Sequence, residues 1–195
     1  MSLRLALAAS LLPLFCVADV ASADDHTEAQ ATEEVKIRDV TLAVPTTWTQ
    51  KPPSNRLRLA EFDVPSGDGE ETDTQVVVSF FGGGGGGIGA NVTRWIGQFD
   101  ADGREVSLVE GSSPQGKYTF LDLTGTMRKS VGPPFLRKYE LIEDARSVAI
   151  ILTVEGTGNY FLKLAGPRAT VDANADALLA SFGADRDSEK PLDAE

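Results

Sequence analysis

The chain has 195 residues, a formal net charge of −11, one cysteine, one histidine and 42% hydrophobic residues. An acidic balance of this size argues against binding nucleic acid or an anionic membrane surface, because both repel it. Cys16 and His26 both lie near the start, so the rest of the chain has no residue for Cys-His, Ser-His-Asp or His-ligated zinc chemistry.

Residues 1–23 read as a secretory signal peptide. Arg4 supplies the positive end, residues 5–17 the apolar run, and Ala21-Ser22-Ala23 the small-residue cleavage site. The run is too short for a transmembrane helix. Cys16 follows Phe15, not the small residue that a lipoprotein site needs, so a retained lipid anchor is not expected. Cleavage after Ala23 removes one positive and one negative charge, Arg4 and Asp19, and leaves the net at −11. It also leaves no cysteine, so the exported chain is held by its core and not by disulfides. The expected location is the periplasm or the extracellular space.

Residues 24–34 are acidic and rich in Ala and Thr, and read as a disordered spacer carrying His26. A single domain is expected over 35–184. Val40, Leu42 and Val44 alternate with small or polar residues as a first strand, which Pro45 ends. Trp48 follows as a core anchor, and Lys51-Pro52-Pro53-Ser54 is a rigid turn. Alternation resumes over 56–64. The stretch 66–73 holds Asp68, Glu70, Glu71 and Asp73. It reads as a solvated hairpin tip, with a calcium site of hard oxygen ligands as the competing reading.

Residues 76–81 (VVVSFF) form a β-branched and aromatic strand that suits cover on both faces. The glycine run 82–87 is either a plain strand-to-helix connection or an anion-binding loop at a helix N-terminus. It lacks the Lys-Ser/Thr ending of a phosphate-binding loop. Ile88, Val92, Trp95, Ile96 and Phe99 then fall at i, i+4, i+7, i+8 and i+11, one stripe of a helix. Asn91, Arg94 and Gln98 lie off that stripe and should meet solvent. Asn91-Val92-Thr93 also fits the N-glycosylation pattern, inside the expected helix.

Further strands are expected near 105–109, 117–127, 135–142 and 147–154. The last of these, SVAIILTV, is apolar throughout and should be central. Residues 159–164 return as its hairpin partner after Glu155-Gly156-Thr157-Gly158. Gly166-Pro167 stops that strand. Thr170 is the expected cap of a second helix with Asp172 in its first turn. Val171, Ala175, Leu178, Leu179 and Phe182 repeat the spacing of the first stripe, and Gly183 follows as the helix stop. Residues 185–195 read as a disordered charged tail.

Three stretches carry a resemblance to a known family: VTLAVPTTW near the start, the glycine loop followed by NVTRWIGQF, and YFLKLAGPRATV before the last helix. In their order the chain resembles the PsbP-like α/β/α sandwich superfamily, most of all its uncharacterised exported bacterial members. The resemblance implies an α+β fold, with an antiparallel sheet of about six strands flanked by helices on both faces. Its known members act as docking or stabilising modules, which implies a non-enzymatic binding or accessory module of the bacterial cell envelope with a protein partner there. It implies no cofactor, no metal ligands and no catalytic residue, and it leaves the oligomeric state open.

On this reading the binding surface consists of Asn91, Arg94, Trp95 and Gln98 on the first helix with Lys163, Gly166 and Pro167 after the hairpin. Arg94 and Lys163 would hold an anionic group of a partner, and Trp95 would be its anchor. The competing structural reading pairs both cations with acidic neighbours. Two other functions stay open: a carrier of a small ligand or lipid between helix and sheet, and a hydrolase using Asp122 and Glu140.

Overall fold

We describe a computed structural model of the chain over residues 30–67, 73–81, 87–132 and 138–193. The expected signal peptide, His26, Gly82–Gly86 and residues 68–72 of the acidic stretch lie outside the described residues.

Among the described residues ten strands and two helices follow one another: β1 (Thr32–Ile37), β2 (Val40–Pro45), β3 (Thr49–Lys51), β4 (Arg58–Asp63), β5 (Gln75–Phe80), α1 (Ile88–Ile96), β6 (Glu105–Ser113), β7 (Gly116–Val131), β8 (Lys138–Val154), β9 (Gly158–Pro167), α2 (Arg168–Ser181) and β10 (Asp185–Pro191). Eight of the strands form one antiparallel sheet in the order β10-β6-β7-β8-β9-β5-β4-β3, and β1 and β2 form a separate hairpin.

The expectation of an α/β/α sandwich with about six strands is therefore corrected. The chain is mostly β, with eight strands in the main sheet. Its two helices, 9 and 14 residues long, pack singly, one against each face, and are too few to make a helical layer over a sheet of eight strands. The difference comes from stretches that composition reads as loop or tail. Thr49–Lys51 and the charged Asp185–Pro191 pair at the two edges of the sheet. There a strand needs ladder hydrogen bonds more than apolar side chains. Asp185–Pro191 lies where a disordered tail was expected, and Thr32–Ile37 begins inside the expected spacer.

Alternation divides the core in two. On one face Val76, Val78, Tyr118, Phe120, Val148, Ile150, Leu152, Leu162 and Leu164 meet the α2 stripe and the β1–β2 hairpin. Trp48 is buried here and donates from Nε1 to Asn174 Oδ1 at 2.9 Å. Asn174 in turn donates to the carbonyls of Pro65 and Thr170 at 2.9 and 2.8 Å. α2 begins after Pro167, so Thr170 is not its cap, and Asp172 pairs instead with Arg146. On the opposite face Val92, Trp95 and Phe99 pack on Leu121, Leu123, Met127, Ile151 and Phe161. α1 covers only part of this face, and its uncovered margin forms the site described below.

The strands β7 and β8 are longer than expected. Residues 135–142 and 147–154 belong to one continuous β8 where described, which pairs with β7 as far as Val131↔Lys138. A register shift between Gly125 and Met127 bends the pair, with Gly125 at φ +135 and Asp144 at φ +47. The bend brings β7 against the end of α1. Asp100 N donates to Thr126 O at 2.9 Å, and Arg128 N to Gln98 O at 2.8 Å.

Candidate functional site

A cleft of about 370 Å³ opens where α1 stops covering the sheet. Its floor follows from strand alternation. Val76 and Val78 point to the α2 face, so Gln75, Val77 and Ser79 point into the cleft. β9 pairs with β5 through Val77↔Lys163, which puts Phe161, Lys163 and Ala165 beside them. Arg94 and Trp95 of α1 form one wall, and Phe81 lies at the end of β5. Arg58, Asp73 and Lys129 complete the lining, Lys129 being carried in by the bent arm of β7.

The electrostatics are those of neighbouring cations with no ion-paired carboxylate among the described residues. Lys163 is half-buried, and its Nζ donates to Gln98 Oε1 and lies 5.8 Å from the centre of the Trp95 ring. Burial, and secondarily the nearby Arg94 guanidinium, pull its pKa from the ordinary 10.5 down to about 8. Arg94 donates to Asn91 Oδ1 at 2.5 Å. Among the described residues no carboxylate forms an ion pair with Arg94, Lys129 or Lys163. Arg58 differs, since it faces the buried Glu61 at 3.2 Å. Burial raises the Glu61 pKa, but the Ser54 amide (2.6 Å to Oε1), the Ser54 hydroxyl and Arg58 together outweigh it and hold the carboxyl below its usual range.

The aromatic side of the cleft is as distinct. Phe81 packs on Phe161 with ring centres 5.3 Å apart, and Trp95 meets Phe161 edge-on at 6.2 Å. Trp95 thus serves the core and the cleft wall together.

The seven residues singled out from the sequence separate into two places. Arg94, Trp95 and Lys163 line the cleft, and Gln98 holds Lys163 from the side. Asn91, expected in solvent, is 1% exposed and braces the helix start, donating to Gly87 O at 3.0 Å. Its burial within α1 also removes it as a glycan acceptor. Gly166 and Pro167 stand apart at the β9–α2 junction. A Cβ at Gly166 would come within 2.5 Å of Thr74 Oγ1, so this glycine permits close packing and does not line the cleft. Sequence reasoning missed Val77, Ser79 and Phe81, whose shared face was available from the period of 76–81. It also missed Lys129, whose position depends on a bend that no local pattern announces.

The carboxylates of the hydrolase reading are not brought together. Asp122 is held by Arg146 at 2.6 and 3.0 Å, while Glu140 is exposed on the arm opposite Lys129. Neither lines the cleft. Among the described residues no group of His, Cys, Asp and Glu has the arrangement of a metal site, and no helix is long and apolar enough to cross a membrane.

Fold and site together define a largely β protein with a cation-lined, aromatic-walled cleft at one helix. No protein-family model matches the chain, and no curated protein matches it. Among solved structures it is similar to the solution structure of cyanobacterial PsbP (CyanoP) from Synechocystis sp. PCC 6803, with a TM-score of 0.44 and 12% identity over 88% of this chain and 99% of that one. A likeness at this distance carries neither a partner nor an activity to this chain.

Proposed function

We propose that the protein is an exported, non-enzymatic binding module of the bacterial cell envelope whose cleft receives an anionic group. The observation that carries this reading is the convergence of Arg94, Lys129 and Lys163 with no ion-paired carboxylate among the described residues, in a chain whose net charge is −11. Two like charges held together cost stability that an incoming anion recovers. The chain beyond residue 26 has neither cysteine nor histidine, which supports binding over catalysis. The pattern of residues 1–23 supports export, and N-terminal sequencing of the exported product should begin at Asp24.

The test of the site is an anion titration followed by thermal melting. Phosphate at moderate ionic strength should raise the melting temperature of the wild type by mass action. Arg94→Ala combined with Lys129→Ala should remove that rise while leaving the anion-free melting temperature nearly unchanged, since Arg94 is exposed and Lys129 lies on the arm. An equal rise in both proteins would place the anion elsewhere and reject the reading.

A further inference from the structure

The anion site just described has a second half that an inorganic anion would not use. Phe81 is 36% exposed, although its ring packs on Phe161. Trp95 stands edge-on to the same ring. Val77 and Ala165 extend this apolar flank along the floor. Phe81 thus opens to solvent beside Trp95 and Phe161, each only 5% exposed, and the three rings line one hollow at angles to one another, an apolar flank that favours a flat organic body over water.

The polar half retains spare donors. An ammonium has three N–H groups, and Gln98 takes one from Lys163. A guanidinium has five, and Asn91 takes one from Arg94. The volume of about 370 Å³ lies at the small end of ligand sites, enough for one ring and a short side arm. Of the charges lining the hollow, Arg58 is answered by Glu61. Among the described residues lining the hollow, Arg94, Lys129 and Lys163 stand against one carboxylate, Asp73, a local excess that suits a compact anion.

We propose that the cleft binds a small aromatic carboxylic acid, its ring lodged against Phe81, Trp95 and Phe161 and its carboxylate among Lys163, Arg94 and Lys129. This rests on the anion site of the preceding reading and adds the chemistry of the body attached to the anion. The carboxylate accepts from the ammonium and the guanidinium and relieves their mutual repulsion. The ring takes the place of water over the rings of the wall and shields the new ion pairs. No bond is made or broken, so the role is capture and not conversion.

The experiment is a titration of the full chain followed by tryptophan fluorescence, with four probes: phenylacetate, acetate, phenylacetamide and inorganic phosphate. Trp95 lies in the cleft and Trp48 in the opposite core, so Trp48→Phe should keep the signal. Phenylacetate should bind at least tenfold more tightly than acetate, which lacks the ring, and than phenylacetamide, which lacks the charge. Phe81→Ala should weaken phenylacetate several-fold and leave acetate and phosphate unchanged. Lys163→Met should weaken all three anions. If phenylacetate binds no better than acetate or phosphate, the aromatic half is wrong while the anion site stands. If none of the anions binds, both readings fall together. If phenylacetamide matches phenylacetate, the hollow is apolar only and the carboxylate assignment is overturned.

Discussion

The two helices carry apolar residues at the same spacing and end in different surroundings. Along α2 and the Phe182 that follows it every member of the stripe is buried: Val171, Ala175, Leu178, Leu179 and Phe182. Along α1 and the turn after it Val92, Trp95 and Phe99 are buried, Ile96 is half-buried and Ile88 is 39% exposed. Beneath α2 the polar groups are answered, as Trp48, Asn174, Pro65 and Thr170 close a hydrogen-bonded chain. At the margin of α1 stand the half-buried Lys163 from the sheet and the exposed guanidinium of Arg94 from the helix itself. Spacing therefore tells which way a helix faces and not how completely its neighbours enclose it. One helix seals a core, and the other leaves a margin where a ligand can enter.

The sharpest way to break this contrast is to shorten the stripes. Leu178→Ala removes a wholly buried side chain from a core cluster and should cost about 3 kcal/mol in a denaturant melt. Ile88→Ala, at the exposed end of the α1 stripe, should cost within about 0.5 kcal/mol. Similar losses at the two positions would show that α1 is as deeply packed as α2. Next in size is Asn174→Ala, which strands the Trp48 Nε1–H and the Pro65 carbonyl and should cost about 2 kcal/mol. Gln98→Ala deprives Lys163 of an acceptor at the edge of an open cleft, where water replaces it, and should cost less than about 1 kcal/mol. A reversal of that order would mean that the cleft is closed to water.

The same contrast explains what was legible in the sequence. The run 147–154 announced a central strand, because residues covered on both faces must be apolar at every position, and β8 is fourth of eight in the sheet. Trp48 announced a core anchor for a similar reason. The edge strands did not announce themselves. Asp185–Pro191 is charged and contains a proline, and only its pairing with β6 makes it a strand. The fold class was misread for that reason, since edge pairing depends on a partner distant in sequence. Within the cleft, Lys163 and Arg94 stood out as cations on otherwise apolar elements. Lys129 reaches the cleft only through the bend at Gly125 and the pairing of Arg128 with the end of α1. Asn91 was placed in solvent because a helical wheel ignores the turn before the helix, where its side-chain amide reaches the Gly87 carbonyl.

The last effect is a modest one and depends on pH, and it concerns Lys163 itself. Its amine holds a proton less firmly in the folded chain than in the unfolded one, with a pKa near 8 against the ordinary 10.5. Below pH 8 both states are protonated, and the folded state carries the full cost of a charge kept partly from water. Between pH 8 and 10.5 the unfolded chain still binds a proton that the folded chain has released, so the contribution of this group to stability rises with pH. Arg94 from α1, Lys129 from β7 and Arg58 from β4 face it as like charges, and Asp73 before β5 as the opposite one. Lys163→Met keeps the stem and removes the charge, so it should be more stable than the parent at pH 7, by an amount on the order of 1 kcal/mol. That advantage should shrink as melts are repeated from pH 8 to pH 10. A difference independent of pH would mean that the ammonium stays hydrated, and the cleft would then lack the desolvated cation on which its affinity for anions depends. Phosphate should narrow the same gap at pH 7, because a bound anion stabilises the parent more than the variant.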